Sequence, residues 1–153
     1  MRGPNCRIVH SLGNLVELKV FYIKLIAVVF QNSFPFKELN VVDYLYLLGS
    51  LKTRPNQSED EFKFLFRIVI HFLQLEACLN KTSENLTALE QVKLSIALAL
   101  LSETNVLLMD FPSYGLDKNE KRQLWILLIR LRSSRRAILL TTSSIEEAEV
   151  SVR

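Results

Sequence analysis

The stretch NVLLMDFPSYGLDKNEKRQLW, residues 105–125, contains the patterns of a strand, a turn and a helix start. The apolar run 106–109 predicts a buried strand, and Asp110 follows it, at the place where a parallel strand delivers a carboxylate to a site. A proline and a glycine then predict a turn, and Asp117 predicts a helix N-cap. The unexpected residue is Phe111, because a phenyl ring can neither take a proton nor hold a metal ion.

Strand and helix patterns alternate towards the end of the chain, and the middle is purely helical. Residues 23–30 and 137–142 are apolar and rich in branched side chains, which is typical of buried strands. Capping pairs predict helix starts at Asn40 with Asp43, Ser58 with Glu61, Thr87 with Glu90, Asp117 with Glu120, and Ser144 with Glu147. The order predicts an α/β fold with parallel strands and a separate helical part.

Composition argues against several classes of protein. Hydrophobic residues make up 49% and charged residues 23%, as in globular domains, and a net charge of +3 is too small to indicate a nucleic-acid partner. The best candidate for a membrane span, residues 15–30, is interrupted by Glu17, Lys19 and Lys24. The start of the chain lacks the apolar core of a signal peptide, so we expect a cytoplasmic chain without its own transmembrane segment.

Four segments are informative because of the order in which they occur. They are VVFQNSFPFKELNVVDYLYLLGSLK (28–52), LTALEQVKLSIALALL (86–101), NVLLMDFPSYGLDKNEKRQLWILLIRLR (105–132) and AILLTTSSIEEAEV (137–150). In this order they resemble the glutamine loop, the signature motif, the Walker B strand with its D-loop, and the switch strand of an ABC transporter nucleotide-binding domain. The residues of these segments are most similar to those of the A subfamily of lipid transporters. The resemblance implies a partial P-loop NTPase fold of the ABC type.

The resemblance also implies roles at the hydrolytic centre. Asp110 matches the aspartate that orients the water shell of Mg²⁺, and Gln31 matches the glutamine of the glutamine loop, so both are expected near Mg²⁺ if ATP is bound. Phe111 stands where the family has the glutamate that polarises water, and Ser143 where it has the switch histidine. We therefore expect no intact catalytic residue, and a Phe111 ring that fills the space beside Asp110.

The signature motif is altered as well. In the family a serine and two glycines at a helix N-terminus face the γ-phosphate bound by the partner domain. Here Thr87 keeps the hydroxyl, whereas Ala88 and Leu89 are expected to place side chains where the phosphate would approach, and Glu90 adds a negative charge. Thr87 and Asp117 remain nucleotide-binding positions by resemblance only.

No G-x-x-x-x-G-K-[ST] phosphate loop occurs in the 153 residues. We therefore expect a truncated, degenerate domain that begins inside the family's core. Residues 1–30 would be a remnant of the N-terminal core, 31–102 the glutamine loop, helical subdomain and signature helix, and 103–153 the Walker B and switch half. ATP and Mg²⁺ are expected only if an upstream phosphate loop is supplied. The missing central strand should leave a sheet edge uncovered.

The resemblance implies a fragment of an ATP-driven, lipid-type transporter that does not hydrolyse ATP alone. Its partners would be the membrane domains and the second nucleotide-binding domain, at the cytoplasmic face of a membrane. Two alternatives are a non-catalytic module that docks on the membrane domains and a non-functional gene remnant. An α/β domain of unknown role is a further possibility.

Overall fold

Three short parallel strands form a sheet in the part of the chain that the structure describes. A computed structural model describes residues 26–29, 34, 36–52, 58–102, 104–132, 136–145, 147 and 148. Within them, β1 (Ile26–Val29), β2 (Val106–Met109) and β3 (Ala137–Leu140) lie in the order β1-β2-β3. The strands are level, since Val29 pairs with Met109 and Met109 with Leu140. Their carboxyl ends therefore share one edge of the sheet, where ligands bind in open α/β folds.

A block of helices connects β1 to β2. Its long members are α1 (Val41–Lys52), α2 (Glu59–Leu73) and α3 (Ala88–Leu101), with short 3₁₀ turns at Glu76–Cys78 and Ser83–Asn85. Helix α4 (Lys118–Arg132) then links β2 to β3. The predicted α/β architecture with a helical part is confirmed. The strands and helices form where the apolar patterns of the sequence predict them.

Helix α3 is the centre of the core. It packs against α1, α2 and β1, and Leu94, Ile96 and Ala97 are fully buried. A helix that is apolar around most of its circumference is stable only when other elements surround it. Gly49 of α1 allows one such close approach, because a Cβ atom there would lie 3.0 Å from the Phe62 ring and 3.2 Å from Leu101.

The sheet has an exposed edge in the described part of the chain. Strand β3 pairs there with β2 alone, and the side chain of Leu139 is 65% exposed. Such an edge offers unpaired N–H and C=O groups to a further strand. The missing strand expected from the sequence stays a prediction, because residues 1–25 lie outside the described part of the chain.

Some sequence predictions fall outside the described residues. Gln31 and the segment 1–25 belong to this group, so the glutamine position and the segment boundaries at 30 and 102 stay predictions. Among the described helices, none is long and apolar enough to cross a membrane.

Candidate functional site

Asp110 and Thr141 meet at the carboxyl edge of the sheet. Asp110 directly follows β2 and Thr141 directly follows β3, and each backbone N–H continues the ladder, to Val29 and Met109 respectively. The Thr141 hydroxyl donates to Asp110 Oδ1 at 2.7 Å. The same hydroxyl oxygen accepts the Phe111 N–H at 2.9 Å. One hydroxyl thus joins the two strand ends, and sequence reasoning did not find it.

Phe111 occupies an unusual backbone position. Its φ of 43° lies in the left-handed region, which few non-glycine residues adopt. The Tyr114 N–H closes a turn on the Phe111 carbonyl at 3.0 Å. The ring is 42% exposed and lies outside the buried core. The expectation that this ring fills a space beside Asp110 is therefore wrong, because the turn holds it at the surface.

Ser143 lies two residues beyond Thr141 and is exposed. Within the described residues it makes no side-chain hydrogen bond, so nothing there holds its hydroxyl towards Asp110. The structure brings together Asp110, Phe111 and Thr141, and it leaves Ser143 beside them on the following loop. Asp110 is the one carboxylate in this hydrogen-bonded group, and Phe111 adds no proton acceptor.

Thr87 caps helix α3 as predicted. Its hydroxyl accepts the Glu90 N–H at 3.2 Å, and Glu90 Oε2 accepts the Thr87 N–H at 2.8 Å. Lys81 also donates to both Glu90 oxygens, at 2.9 and 3.2 Å. Burial raises the pKa of Glu90, but the hydrogen bonds from Lys81 and Thr87 outweigh it and lower that pKa overall. The carboxylate is therefore ionised at neutral pH and sits at the positive end of the helix.

Leu89 corrects the expectation for the altered signature motif. Its side chain is buried, with 6% exposed, and it belongs to the core cluster. It therefore does not point to where a phosphate would approach. The obstacle at this helix end is Glu90, which supplies the negative charge that an anion would otherwise bring.

Asp117 likewise caps its own helix. Its Oδ1 accepts the N–H groups of Asn119 at 2.7 Å and Glu120 at 2.8 Å. Glu120 Oε2 returns the bond by accepting the Asp117 N–H at 3.1 Å. Gly115, with φ of 75°, makes the preceding turn, as glycine at positive φ does without strain. The predicted capping pair and turn are confirmed.

Glu147 forms only half of the capping pair predicted with Ser144, in which its N–H donates to the Ser144 hydroxyl at 3.4 Å. The predicted partner of its carboxylate was the Ser144 N–H, but that N–H donates to the Thr142 hydroxyl at 3.0 Å. Glu147 Oε2 instead accepts the hydroxyls of Ser113, at 2.6 Å, and of Thr142. Lys121 Nζ lies 3.4 Å from Glu147 Oε1. The residue is 7% exposed, so this buried carboxylate ties together the turn after β2, helix α4 and the loop after β3.

The described residues fit Mg²⁺ and ATP only in part. One carboxylate, Asp110, suits the water shell of Mg²⁺, which typically has one or two protein carboxylates and several waters. Phosphates need free backbone N–H groups, usually at a helix N-terminus. The first turns of α1 to α4 already use such groups to bind their own capping side chains, at Asn40, Ser58, Thr87 and Asp117. We therefore derive no hydrolytic step through ATP, and Mg²⁺ could be held at Asp110 only with phosphate supplied from elsewhere.

No family model matches the chain. The chain does match individual proteins. It is 35% identical over 121 residues to human phospholipid-transporting ATPase ABCA3, covering 78% of this chain and 7% of that protein. It is 33% identical over 120 residues to rat ATP-binding cassette sub-family A member 17, with 78% and 6% covered. It is 33% identical over 120 residues to ABC transporter A family member 11 of Dictyostelium discoideum, with 76% and 14% covered. The chain thus spans a small part of each relative's length.

Solved structures share the fold. Clostridium perfringens cbiO1, part of the ABC transporter complex cbiONQ, superposes with a TM-score of 0.74 at 20% identity, covering 85% of this chain and 51% of that one. An ATP-binding subunit of an ABC transporter superposes with a TM-score of 0.69 at 22% identity, covering 90% and 56%. At this identity the likeness concerns the fold alone.

Proposed function

We propose that this chain, which belongs to the ABC transporter nucleotide-binding domains, serves as a silent segment of such a domain in an A-subfamily-like lipid transporter. It acts at the cytoplasmic face of a membrane, beside the membrane domains and a second nucleotide-binding domain. That partner domain carries out hydrolysis. ATP and Mg²⁺ are held only when a phosphate loop from outside these residues completes the site.

The residue that carries this proposal is Phe111. Hydrolysis needs a base within hydrogen-bond reach of the attacking water, and a phenyl ring follows Asp110 where the family has its glutamate. Asp110 itself accepts the Thr141 hydroxyl, and Ser143 offers a short, uncharged side chain in place of the switch histidine. Carboxylate capping of α3 and α4 supports the same proposal, because Glu90 and Glu120 occupy N–H groups that could contact phosphate.

We expect the purified 153-residue chain to release no phosphate from Mg-ATP above the background without protein. Phe111→Glu is expected to stay at background as well, because it adds a base without adding phosphate-binding N–H groups. Phosphate release measured by a coupled assay decides this. Asp110→Ala is the control for contamination, since a contaminating ATPase is unaffected by it. Release that Asp110→Ala abolishes would overturn the proposal.

A docking module without nucleotide is the second candidate function. Two helices present exposed apolar side chains at i and i+4, namely Leu47 and Leu51 on α1 and Phe64 and Ile68 on α2. Leu51 is 74% and Phe64 67% exposed. Apolar patches of this kind are typical of surfaces that bind other proteins.

Co-purification of the chain with the membrane domains of an A-subfamily transporter tests the docking function. We expect Phe64→Asp to reduce recovery about tenfold or more, because it places a charge within an apolar contact. Leu139→Asp is the matched control, since Leu139 is 65% exposed but lies on the sheet. Equal recovery of both variants and the unchanged chain would exclude this surface as the contact.

A further inference from the structure

A cavity lies between the end of α2, the middle of α3 and one face of α4. Its volume is about 210 Å³. Lys93 lines it from α3, Gln123 and Arg130 from α4, and Gln74 from the end of α2. None of the residues at the carboxyl edge of the sheet contributes to it. It is therefore separate from the site around Asp110.

Lys93 is the notable residue of this cavity. It is 9% exposed, although lysine is almost never this buried unless paired. Within the described part of the chain it has no hydrogen-bond or ion-pair partner. A nearby carboxylate is that of Glu76, whose pKa is lowered chiefly by a backbone hydrogen bond and by His71, with a smaller contribution from Lys93. Glu76 is itself bound to His71 Nδ1 at 2.9 Å, so it does not neutralise Lys93.

The remaining lining suits an anion. The side chains of Gln74 and Gln123 carry amide N–H donors, and no carboxylate is among the lining residues. Phe72 and Ile126 add apolar walls, which lower the local dielectric and strengthen a charge pair. A volume of about 210 Å³ equals roughly seven waters at about 30 Å³ each. It therefore accommodates a phosphate group, and it is below the roughly 300 Å³ at which pockets for larger ligands begin.

We propose that this cavity binds a phosphate group, with Lys93 as the charge that holds it and the side-chain amides of Gln74 and Gln123 as further donors. Charge-assisted bonds of this kind are about twice as strong as neutral ones. The group could belong to free inorganic phosphate or to the headgroup of a lipid. In either case the anion gives Lys93 a partner that the described residues do not provide.

Equilibrium binding to the 153-residue chain at constant ionic strength tests the proposal. One arm uses inorganic phosphate and the other a soluble, short-chain phosphatidate. We expect saturable binding in at least one arm. Lys93→Met should weaken it about tenfold or more, since it removes the charge and keeps a side chain of similar length. Binding of phosphate alone identifies the free ion, and at least tenfold tighter binding of phosphatidate identifies the lipid headgroup.

Two further variants keep the test decisive. Gln123→Glu places a negative charge on an exposed lining residue, so it should weaken binding similarly while leaving the core intact, even if Lys93→Met folds poorly. Arg122→Gln is the control, because it changes the net charge by the same amount on the same helix at an exposed residue that does not line the cavity. Absence of saturable binding in both arms, or equal weakening by Arg122→Gln, would overturn the proposal.

Discussion

Glu147→Ala is expected to lower the free energy of unfolding by about 3 kcal/mol, because each hydrogen bond to a charged group contributes roughly 1.5–3 kcal/mol. Glu147 Oε2 accepts two such bonds, from Ser113 and Thr142, and Lys121 adds an ion pair at 3.4 Å. The substitution also leaves two hydroxyls without their acceptor. Urea unfolding followed by circular dichroism measures the change.

Two comparisons separate this network from a general effect of losing a carboxylate. Glu84→Ala removes an exposed carboxylate and should change stability by less than about 0.5 kcal/mol. A double-mutant cycle of Glu147→Ala with Ser113→Ala should give a coupling energy of about 1 kcal/mol or more, as expected for residues in one network. Additive effects in that cycle would show that the Ser113 bond does not stabilise the fold.

The Glu147 network explains how the sheet edge keeps its geometry. Ser113 lies in the turn three residues after Asp110, and Thr142 follows Thr141, so one buried carboxylate fixes both segments that carry the Asp110–Thr141 contact. Parallel strands of four residues offer little pairing of their own. The carboxylate therefore contributes to holding the two loops in register, independently of any ligand.

Local capping was predictable, whereas long-range partners were not. The pairs Ser58 with Glu61, Thr87 with Glu90, and Asp117 with Glu120 form as the sequence predicts, because each needs only groups three residues apart. Ser144 with Glu147 forms only the bond from the Glu147 N–H to the Ser144 hydroxyl, because the hydroxyls of Ser113 and Thr142 bind the carboxylate instead. A three-residue motif contains no information about such competitors.

In the candidate site, too, the local feature was predictable and the long-range partner was not. The position of Asp110 at a strand end follows from the apolar run before it, without tertiary knowledge. Its partner Thr141 lies 31 residues away and becomes visible only when the register of β2 and β3 is known. Leu89 was misplaced because the helix phase, which turns it into the core, depends on how α3 packs. Nothing in the sequence indicated that Lys93 is buried, since a lysine in an apolar helix is usually solvated.

Acid is expected to unfold the chain through the carboxylates of Glu147 and Glu90. Burial raises the pKa of Glu147, but hydrogen bonds from Ser113, Thr142 and Lys121 outweigh it, so this pKa is lowered in the folded state. The pKa of Glu90 is lowered in the same manner, with burial opposed by Lys81 and Thr87. Above the ordinary value of 4.5, both groups are ionised in the folded and unfolded chains, and their contribution to stability is complete.

As the pH falls below 4.5, the unfolded chain takes up these protons before the folded chain does, so the free energy of unfolding decreases until the folded carboxylates are also protonated. Urea titrations across this range should therefore show a steep loss of stability. Glu147→Gln should reduce the slope, because that position no longer titrates, whereas Glu84→Gln should leave it unchanged. An unaltered slope in Glu147→Gln would mean that Glu147 has the same pKa in the folded and unfolded chains, so that its hydrogen bonds do not favour the ionised form.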